Sequence, residues 1–172
     1  MSVIALKSQG VTYLACDSLI KEYSFKYISR SEENYSIFPL KGMNGVLVGH
    51  DGSDRECDLL KTTNIVPSEY KDVPLSYEVV VRIIVPRLFE ELEKAKYLSK
   101  DAYGENRYMH SQWILATKEK IFIINPDGAV TAFNDFASIG TGSTILMGSL
   151  SSHLEKAPKE RKNGYICQEL IQ

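Results

Sequence analysis

The sequence has little of what marks several common protein classes. Its three cysteines, Cys16, Cys57 and Cys167, are odd in number and widely spaced, so they form neither a disulfide framework nor a metal-type pair. No apolar run approaches the roughly 20 residues of a membrane span, and the first residues lack a signal-peptide pattern. We therefore expect a soluble protein in the reducing cytoplasm.

An excess of basic residues and metal-ligand spacing are also missing. The net charge of −2 at pH 7 gives no reason to expect a nucleic-acid or membrane-surface partner. The three histidines are not at ligand spacing, so we expect no metal, and we interpret His50 and Asp51 as loop or surface residues. The Gly-Thr-Gly-Ser run at 140–143 lacks the lysine and spacing of a P-loop, so we expect no cofactor.

The chain does have the length and apolar content for one core. Its 172 residues are 44% hydrophobic, with no internal repeat or linker, which favours a single domain over residues 1–172. Apolar periodicity predicts strands, then helices, then strands and helices again. The predicted strands cover 3–6, 11–16, 22–27, 35–40, 46–49, 112–117, 120–125 and 129–133, residues 136–139 lead into the Gly-Thr-Gly-Ser run, and the predicted helices cover 53–62, 75–99, 143–154 and 159–171. Such contiguous blocks indicate an α+β fold with two antiparallel sheets between helix pairs, a four-layer αββα sandwich.

Two of the predicted helices carry more specific signals. Ser53 and Glu56 fit a capping box at the start of the first helix, and Pro86 should kink the second. Residues 79–85 of that second helix are apolar on more than one side. A helix of this kind is buried in a core or against a partner, so we expect a homo-oligomer.

The first predicted hairpin returns an acid to the beginning of the chain. After a turn at Gly10, its second strand stops at Asp17, opposite the start of the first strand. A free N-terminal amine can act as the general base for its own residue's hydroxyl, and an acid at this point suits such a nucleophile. The alternative is that the domain simply begins with a hairpin and that Asp17 caps a turn.

Several stretches together, in this order, resemble the proteasome β-subunit superfamily, which includes the HslV-type peptidase and the short proteasome-like proteins of bacteria and phages. They are Gly-Val-Thr-Tyr-Leu-Ala-Cys-Asp-Ser at 10–18, Ser-Ile-Phe-Pro-Leu at 36–40, Gly-Val-Leu-Val-Gly at 45–49, Ile-Phe-Ile-Ile-Asn-Pro-Asp-Gly at 121–128 and Ala-Ser-Ile-Gly-Thr-Gly-Ser at 137–143. The resemblance implies an N-terminal-nucleophile hydrolase fold. It also implies hydrolysis of amide bonds by an N-terminal threonine, whose hydroxyl attacks the carbonyl and whose amine takes the proton.

The resemblance assigns site residues one by one. Asp17 matches the aspartate that holds the site, and Thr141 replaces the serine of a Gly-Ser-Gly turn that supports the amine. The lysine that lowers the pKa of the amine falls at Ser36, so the amine is a worse-poised base here. An ungapped comparison places Met1 on the catalytic threonine. A shift by one residue places Ser2 there, at the cost of strand parity, and we favour Ser2 because methionine before serine is normally removable.

Two functions remain open at this point. The first is a proteasome-like peptidase, an endopeptidase of the threonine or serine type, which acts on a peptide or protein and has an ATP-dependent unfoldase as a candidate partner. The second is a non-catalytic homologue that keeps the fold and assembles as a scaffold. The resemblance implies self-association, with a ring as one form. The closing strand pair usual in the family is missing before Gln172, so we expect a C-terminally shortened fold.

Overall fold

Short strands rich in apolar residues build two antiparallel sheets. The structure is a computed structural model, and it describes residues 2–17, 19–22, 25–28, 36–101, 103–104 and 106–156. Its strands are β1 (Ser2–Ser8), β2 (Val11–Cys16), β3 (Leu19–Glu22), β4 (Phe25–Ile28), β5 (Ile37–Pro39), β6 (Leu47–Asp51), β7 (Ser99–Lys100), β8 (Arg107–Tyr108), β9 (Gln112–Ala116), β10 (Ile121–Ile124), β11 (Val130–Phe133) and β12 (Phe136–Gly140). Its helices are α1 (Asp54–Thr62), α2 (Tyr77–Val79), α3 (Val85–Lys94) and α4 (Ser143–Lys156), with a short 3₁₀ turn at Ser68–Tyr70. The helix predicted over 159–171 lies outside the described residues.

The first sheet has the strand order β12-β1-β2, and the second has the order β11-β10-β9-β6-β5. Every neighbouring pair in both sheets is antiparallel, as the sequence predicts. Two further hairpins, β3-β4 and β7-β8, lie outside these sheets. The mixed α/β composition in contiguous blocks agrees with the predicted class.

The facing sides of the two sheets form one apolar core. Val3 and Ala5 of β1 and Leu14 of β2 pack in one cluster with residues of the second sheet that include Ile114 and Ile123. Because side chains alternate along a strand, Ser2 and Ile4 lie on the opposite face of the first sheet. That face meets α4, which contacts β12 and β1.

The outer side of the second sheet packs against α1 and α3. Val48, Trp113 and Phe122 of the sheet share a buried cluster with Leu60 of α1 and Leu88 of α3. No helix in the described part of the chain has both the length and the apolar character needed to cross a membrane.

The second predicted helix is interrupted and shorter than expected. A π turn over Val80–Ile84 joins α2 to α3 directly before Pro86, which has no N–H to continue the α-helical ladder. The helix ends at Lys94 rather than residue 99. The Tyr97 N–H donates to the Leu92 carbonyl and the Lys96 N–H to the Glu93 carbonyl, a Schellman motif with Lys96 at φ 59°. Glycine usually occupies this positive-φ position of the motif. Because lysine occupies it here, the sequence did not indicate where the helix ends.

Two other local predictions are wrong. Ser53 precedes α1 without a side-chain capping bond, and the Glu56 carboxylate accepts from the His110 N–H over 2.8 Å instead. The single strand predicted over 22–27 is two paired strands, β3 and β4, with Glu22 opposite Phe25. Period-two alternation fits one long strand or a tight hairpin equally well, and no Gly, Asn, Asp or Pro marks the turn.

Candidate active site

The β1-β2 hairpin brings Asp17 beside Ser2. Gln9 and Gly10 form its two-residue turn with φ values of 52° and 80°, and the register then pairs Val3 with Cys16. Asp17 therefore follows the strand directly opposite Ser2, and its N–H donates to the Ser2 carbonyl over 3.2 Å. The Ser2 N–H in turn donates to Oδ2 of Asp17 over 2.7 Å. A carboxylate thus contacts the nitrogen that would become the amine of an N-terminal serine.

The hydroxyl of Ser2 is held by the turn before α4. The Gly142 N–H donates to the Ser2 Oγ over 2.9 Å. A Cβ at position 142 would come within 2.7 Å of that oxygen, so a side chain there would displace the hydroxyl. Gly142 is a site residue that the sequence analysis did not identify, although it lies within the Gly-Thr-Gly-Ser run.

Ser2 opens onto a groove between the first sheet and α4. The groove has a volume of about 520 Å³. Its lining is largely apolar. The lining residues include Ser2, Asp17, Ile4, Ala15, Ile145 and Leu146. Because Ser2 lies on the α4 face of β1, its hydroxyl faces this groove rather than the core between the sheets.

Ser36, which the sequence resemblance assigns to the position of the lysine, is a buried neutral residue. It is only 4% exposed, and its carbonyl accepts from the His50 N–H over 2.9 Å. Ser36 also lies beside the end of β2. Burial raises the pKa of the Cys16 thiol and the Asp17 charge raises it further, while a hydrogen bond from the Ser36 backbone opposes them. Cys16 is therefore a thiol at neutral pH and not an activated nucleophile.

Thr141 lies in the exposed turn between β12 and α4. Gly140, just before it, has φ 92°, which favours glycine and lets the strand turn sharply into the helix. The bond from this turn to the Ser2 hydroxyl comes from the Gly142 backbone. The supporting role of Thr141 stays a prediction.

A second acid, Asp51, is close to Asp17 and was not predicted as a site residue. It ends β6, which ends two residues later than the predicted strand. A Cβ on Gly49 would meet Val3 of the first sheet, and alternation puts Asp51 on the same face as Gly49. Burial raises the pKa of Asp51, and the neighbouring Asp17 charge adds to the rise.

His50 is a buried residue of a strand, so its interpretation as a loop or surface residue is wrong. It is fully buried in β6, stacks against Trp113 with ring centroids 4.6 Å apart, and its Nε2 lies 2.9 Å from the Ser111 Oγ. The same Oγ accepts from the Ser53 N–H over 3.0 Å, so this pair fastens the turn that follows Asp51. Burial lowers the pKa of His50 to about 3, helped by the Lys61 charge, and the imidazole is neutral at pH 7.

No three His, Cys, Asp or Glu side chains within the described ranges come together as a metal site. The Ser2 N–H and the Ser2 Oγ have Asp17 and Gly142 as hydrogen-bond partners. Its chemistry therefore depends on a carboxylate and a backbone N–H.

Comparison with known structures relates the fold of this chain to one class. BPH from Thiobacillus denitrificans in complex with epoxomicin matches with 21% identity and a TM-score of 0.69, over 92% of this chain and 81% of that chain. HslV from Trypanosoma brucei matches with 14% identity and a TM-score of 0.56, over 94% and 83%. Anbu from Hyphomicrobium sp. strain MC1 matches with 12% identity and a TM-score of 0.51, over 81% and 60%. No protein-family model and no curated protein matches the chain.

The fold is therefore the proteasome-type fold of the N-terminal-nucleophile hydrolases. The resemblance noted in the sequence to the proteasome β-subunit superfamily is confirmed at the level of the fold. At identities of 21% and below, the activity of this chain has to be argued from its own site.

Proposed function

We propose that the chain is a proteasome-like N-terminal-nucleophile peptidase that uses Ser2 as its nucleophile once Met1 has been removed. The observation that carries this proposal is the pair of contacts at Ser2: its N–H donates to Asp17 over 2.7 Å, and its Oγ accepts from Gly142 over 2.9 Å. An endopeptidase of the serine or threonine type needs an oriented amine, a held hydroxyl and room for a peptide. The groove beside Ser2 supplies that room.

In the proposed reaction, the Ser2 amine takes the hydroxyl proton while the Oγ attacks the scissile carbonyl carbon. The amine then passes this proton to the leaving nitrogen, the C–N bond breaks, and an ester on Ser2 remains. A water molecule loses a proton to the same amine and attacks the ester. Release of the carboxylic acid returns the proton to the Ser2 oxygen and restores the amine.

The other predicted site residues have supporting roles in this proposal. Asp17 orients the amine, and Thr141 is the residue to which the resemblance assigns the supporting hydroxyl. Ser36 brings no charge to the position of the family's lysine. Without that cation, the Asp17 carboxylate favours the protonated amine, so we expect a base that works best at alkaline pH.

The buried Ser36 also favours a second candidate function, a non-catalytic scaffold that keeps the fold and assembles. The orientation of the Ser2 side chain supports this alternative too. It lies on the α4 side of β1, whereas the second acid, Asp51, faces the space between the sheets, so the two side chains point to different sides of the first sheet. Exposed apolar side chains support self-association in either case: Tyr77 is 52% exposed and Val81 is 38% exposed. We propose a homo-oligomer, with a ring as one form and an unfoldase as a candidate partner of an active enzyme.

The proposal also includes the domain organisation, the layer order and the location of the protein. We propose one domain over residues 1–172 and a four-layer αββα order, which the contacts of α4 with the first sheet and of α1 and α3 with the second support. The odd, widely spaced cysteines support a cytoplasmic location.

The direct test compares Met1-free protein with its Ser2→Ala variant on a set of fluorogenic peptides between pH 7 and 10. We expect turnover by the first and none by the second, with unchanged melting temperatures. Turnover that survives in Ser2→Ala would assign the activity to another group. Silence of both proteins would leave the scaffold as the better function.

A further inference from the structure

We propose that Asp51 is a positioning residue of the candidate active site, and that its carboxylate is a second counter-ion for the α-amine that Ser2 carries once Met1 has been removed. Together with Asp17 it keeps this amine protonated at neutral pH. The consequence for the rate of hydrolysis rests on the proposed function. The charge of the amine does not, because it can be titrated whether or not the protein hydrolyses a peptide.

The end of β6 places Asp51 against the amino end of β1. A Cβ on Gly49 would come within 2.7 Å of the Val3 side chain, so this part of β6 lies directly against the first sheet. Asp51 follows two residues later on the same face of its strand. Val3 pairs with Cys16, and Asp17 comes next along the chain. Because the charges of Asp17 and Asp51 act on each other, both acids lie at this end of the two sheets.

The nitrogen of Ser2 is accessible to both acids because it is a backbone atom within the first sheet. The Ser2 hydroxyl faces α4, where it accepts from the Gly142 N–H. The Ser2 N–H donates to the Asp17 Oδ2 over 2.7 Å. Asp51 approaches from the space between the sheets, on the side away from the hydroxyl. A terminal amine at this nitrogen therefore has one carboxylate in contact and a second one nearby.

The ionisation of Asp51 agrees with this placement. Burial raises the pKa of its carboxyl, the positive charge of the chain's amino terminus lowers it, and the Asp17 charge raises it. The effect of such a pair is mutual, since a cation that stabilises an ionised carboxylate is itself stabilised in its protonated form. Asp51 therefore raises the pKa of the terminal amine, which is the opposite of what the lysine of the family would do.

The side chains that the structure describes around this end of β1 bring no cation to offset the two acids. β5, β9, β12 and the first turn of α4 have no ionisable side chain. Cys16 is a thiol at neutral pH, and His50, on the other face of β6, is a neutral imidazole. Lys7, toward the far end of β1, donates to the Glu119 carbonyl. The amine therefore meets a net negative environment.

The experiment titrates the α-amine of the Met1-free protein. Limiting acetic anhydride is added at a series of pH values between 6 and 11, together with a reference peptide of known α-amine pKa. Acetylation of the amino-terminal peptide is quantified by mass spectrometry, since only the neutral amine reacts. An ordinary α-amine has a pKa of about 7.7–8.0, and we expect a value about one pH unit higher. A value at or below the ordinary one in the wild-type protein overturns the proposal without any variant.

Asp51→Asn should lower the pKa of the amine by about one pH unit, and Asp51→Glu, which keeps the charge, should retain most of the wild-type value. The matched control is Asp58→Asn in α1, which removes the same charge from a side chain that is 74% exposed. This control should leave the pKa of the amine unchanged. A raised pKa that is equal in wild type and Asp51→Asn would assign the effect to Asp17 alone, and the proposal would be wrong.

The outcomes separate this inference from the proposed function. In an active peptidase, the pH–rate profile of Asp51→Asn should move toward lower pH together with the pKa of the amine. If the protein hydrolyses nothing but the pKa of its amine depends on Asp51, the proposed function fails and this inference stands. If Asp51→Asn lowers the melting temperature and changes neither the profile nor the pKa of the amine, Asp51 has a structural role only, and this inference fails.

Discussion

The Ser2 Oγ accepts a hydrogen bond from the Gly142 N–H over 2.9 Å, so the first strand and the turn before α4 meet at one hydroxyl. These residues are 140 positions apart, and β12 brings them together by pairing with β1, with Gly140 opposite Ser2. The contact gives the hydroxyl a fixed place at the groove. It also makes Gly142 a position where a small change should have a local effect.

Gly142→Ala should reduce the peptidase turnover number at least about tenfold, because the new Cβ would lie 2.7 Å from the Ser2 Oγ and push the hydroxyl away. The matched control is Gly148→Ala in α4, where a Cβ meets nothing within 4 Å. That control should keep full activity and gain about 0.5–1 kcal/mol of stability from the better helix former. Turnover and thermal unfolding of both variants are measured together, and full activity in Gly142→Ala would exclude its positioning role.

Asp17→Asn should abolish hydrolysis while the melting temperature changes little. Asp17 is exposed, and its side chain contacts the Ser2 N–H, so the change affects the orientation of the amine more than the core. A loss of about 10²-fold or more in turnover is the size expected for a positioned acid–base system. A folded and fully active Asp17→Asn protein would remove Asp17 from the site.

Ser36→Lys should move the pH–rate profile toward lower pH. An α-amine normally has a pKa of about 7.7–8.0, and a nearby cation lowers it, whereas the Asp17 carboxylate has the opposite effect. The rate of the wild-type protein should therefore rise toward alkaline pH as the amine loses its proton. The measurement is the pH–rate profile of both Met1-free proteins, and good wild-type turnover at pH 7 would mean that another cation acts in place of the lysine.

His50 should make the protein sensitive to acid. Its folded-state pKa is lowered to about 3, whereas the unfolded chain takes up this proton near pH 6.5, so its contribution to stability is complete above pH 6.5 and is lost as the pH falls toward 3. The loss approaches about 1.4 kcal/mol per pH unit within that window. His50→Gln should show a weaker fall in the free energy of unfolding between pH 7 and pH 5.

The control for this prediction is His110→Gln, since His110 is exposed and its Nε2 is hydrogen-bonded to the Ser99 hydroxyl. Urea unfolding at the two pH values should give this variant the wild-type pH dependence. Equal pH dependence in His50→Gln and wild type would mean that His50 is not the group that titrates.

Self-association should depend on the exposed apolar side of the helix that begins at Tyr77. Light scattering at high concentration should give a mass that is a multiple of 19.4 kDa, and Val81→Glu should lower it. A stable monomer in the wild-type protein would contradict the proposed homo-oligomer.

The first hairpin and the order of the strand and helix blocks could be predicted from the sequence. Apolar residues that recur with period two or with helical spacing mark the side chains that become buried in a strand or a helix. The same patterns could not report where β6 ends. His50 and Asp51 are polar, yet both continue the strand, because the buried Ser111 hydroxyl and the helix layer supply partners for His50. The role of Gly142 could not be predicted for a related reason. It depends on a contact with Ser2, which lies 140 residues away in the sequence.

Intact mass spectrometry of the untagged protein, before and after incubation with epoxomicin, tests the role of Ser2 most directly. BPH, which has the same fold, was solved in complex with epoxomicin. We expect a mass lower by one methionine residue and, after incubation, one adduct that is lost in Ser2→Ala. A chain that keeps Met1 and gains no adduct would contradict Ser2 as an N-terminal nucleophile.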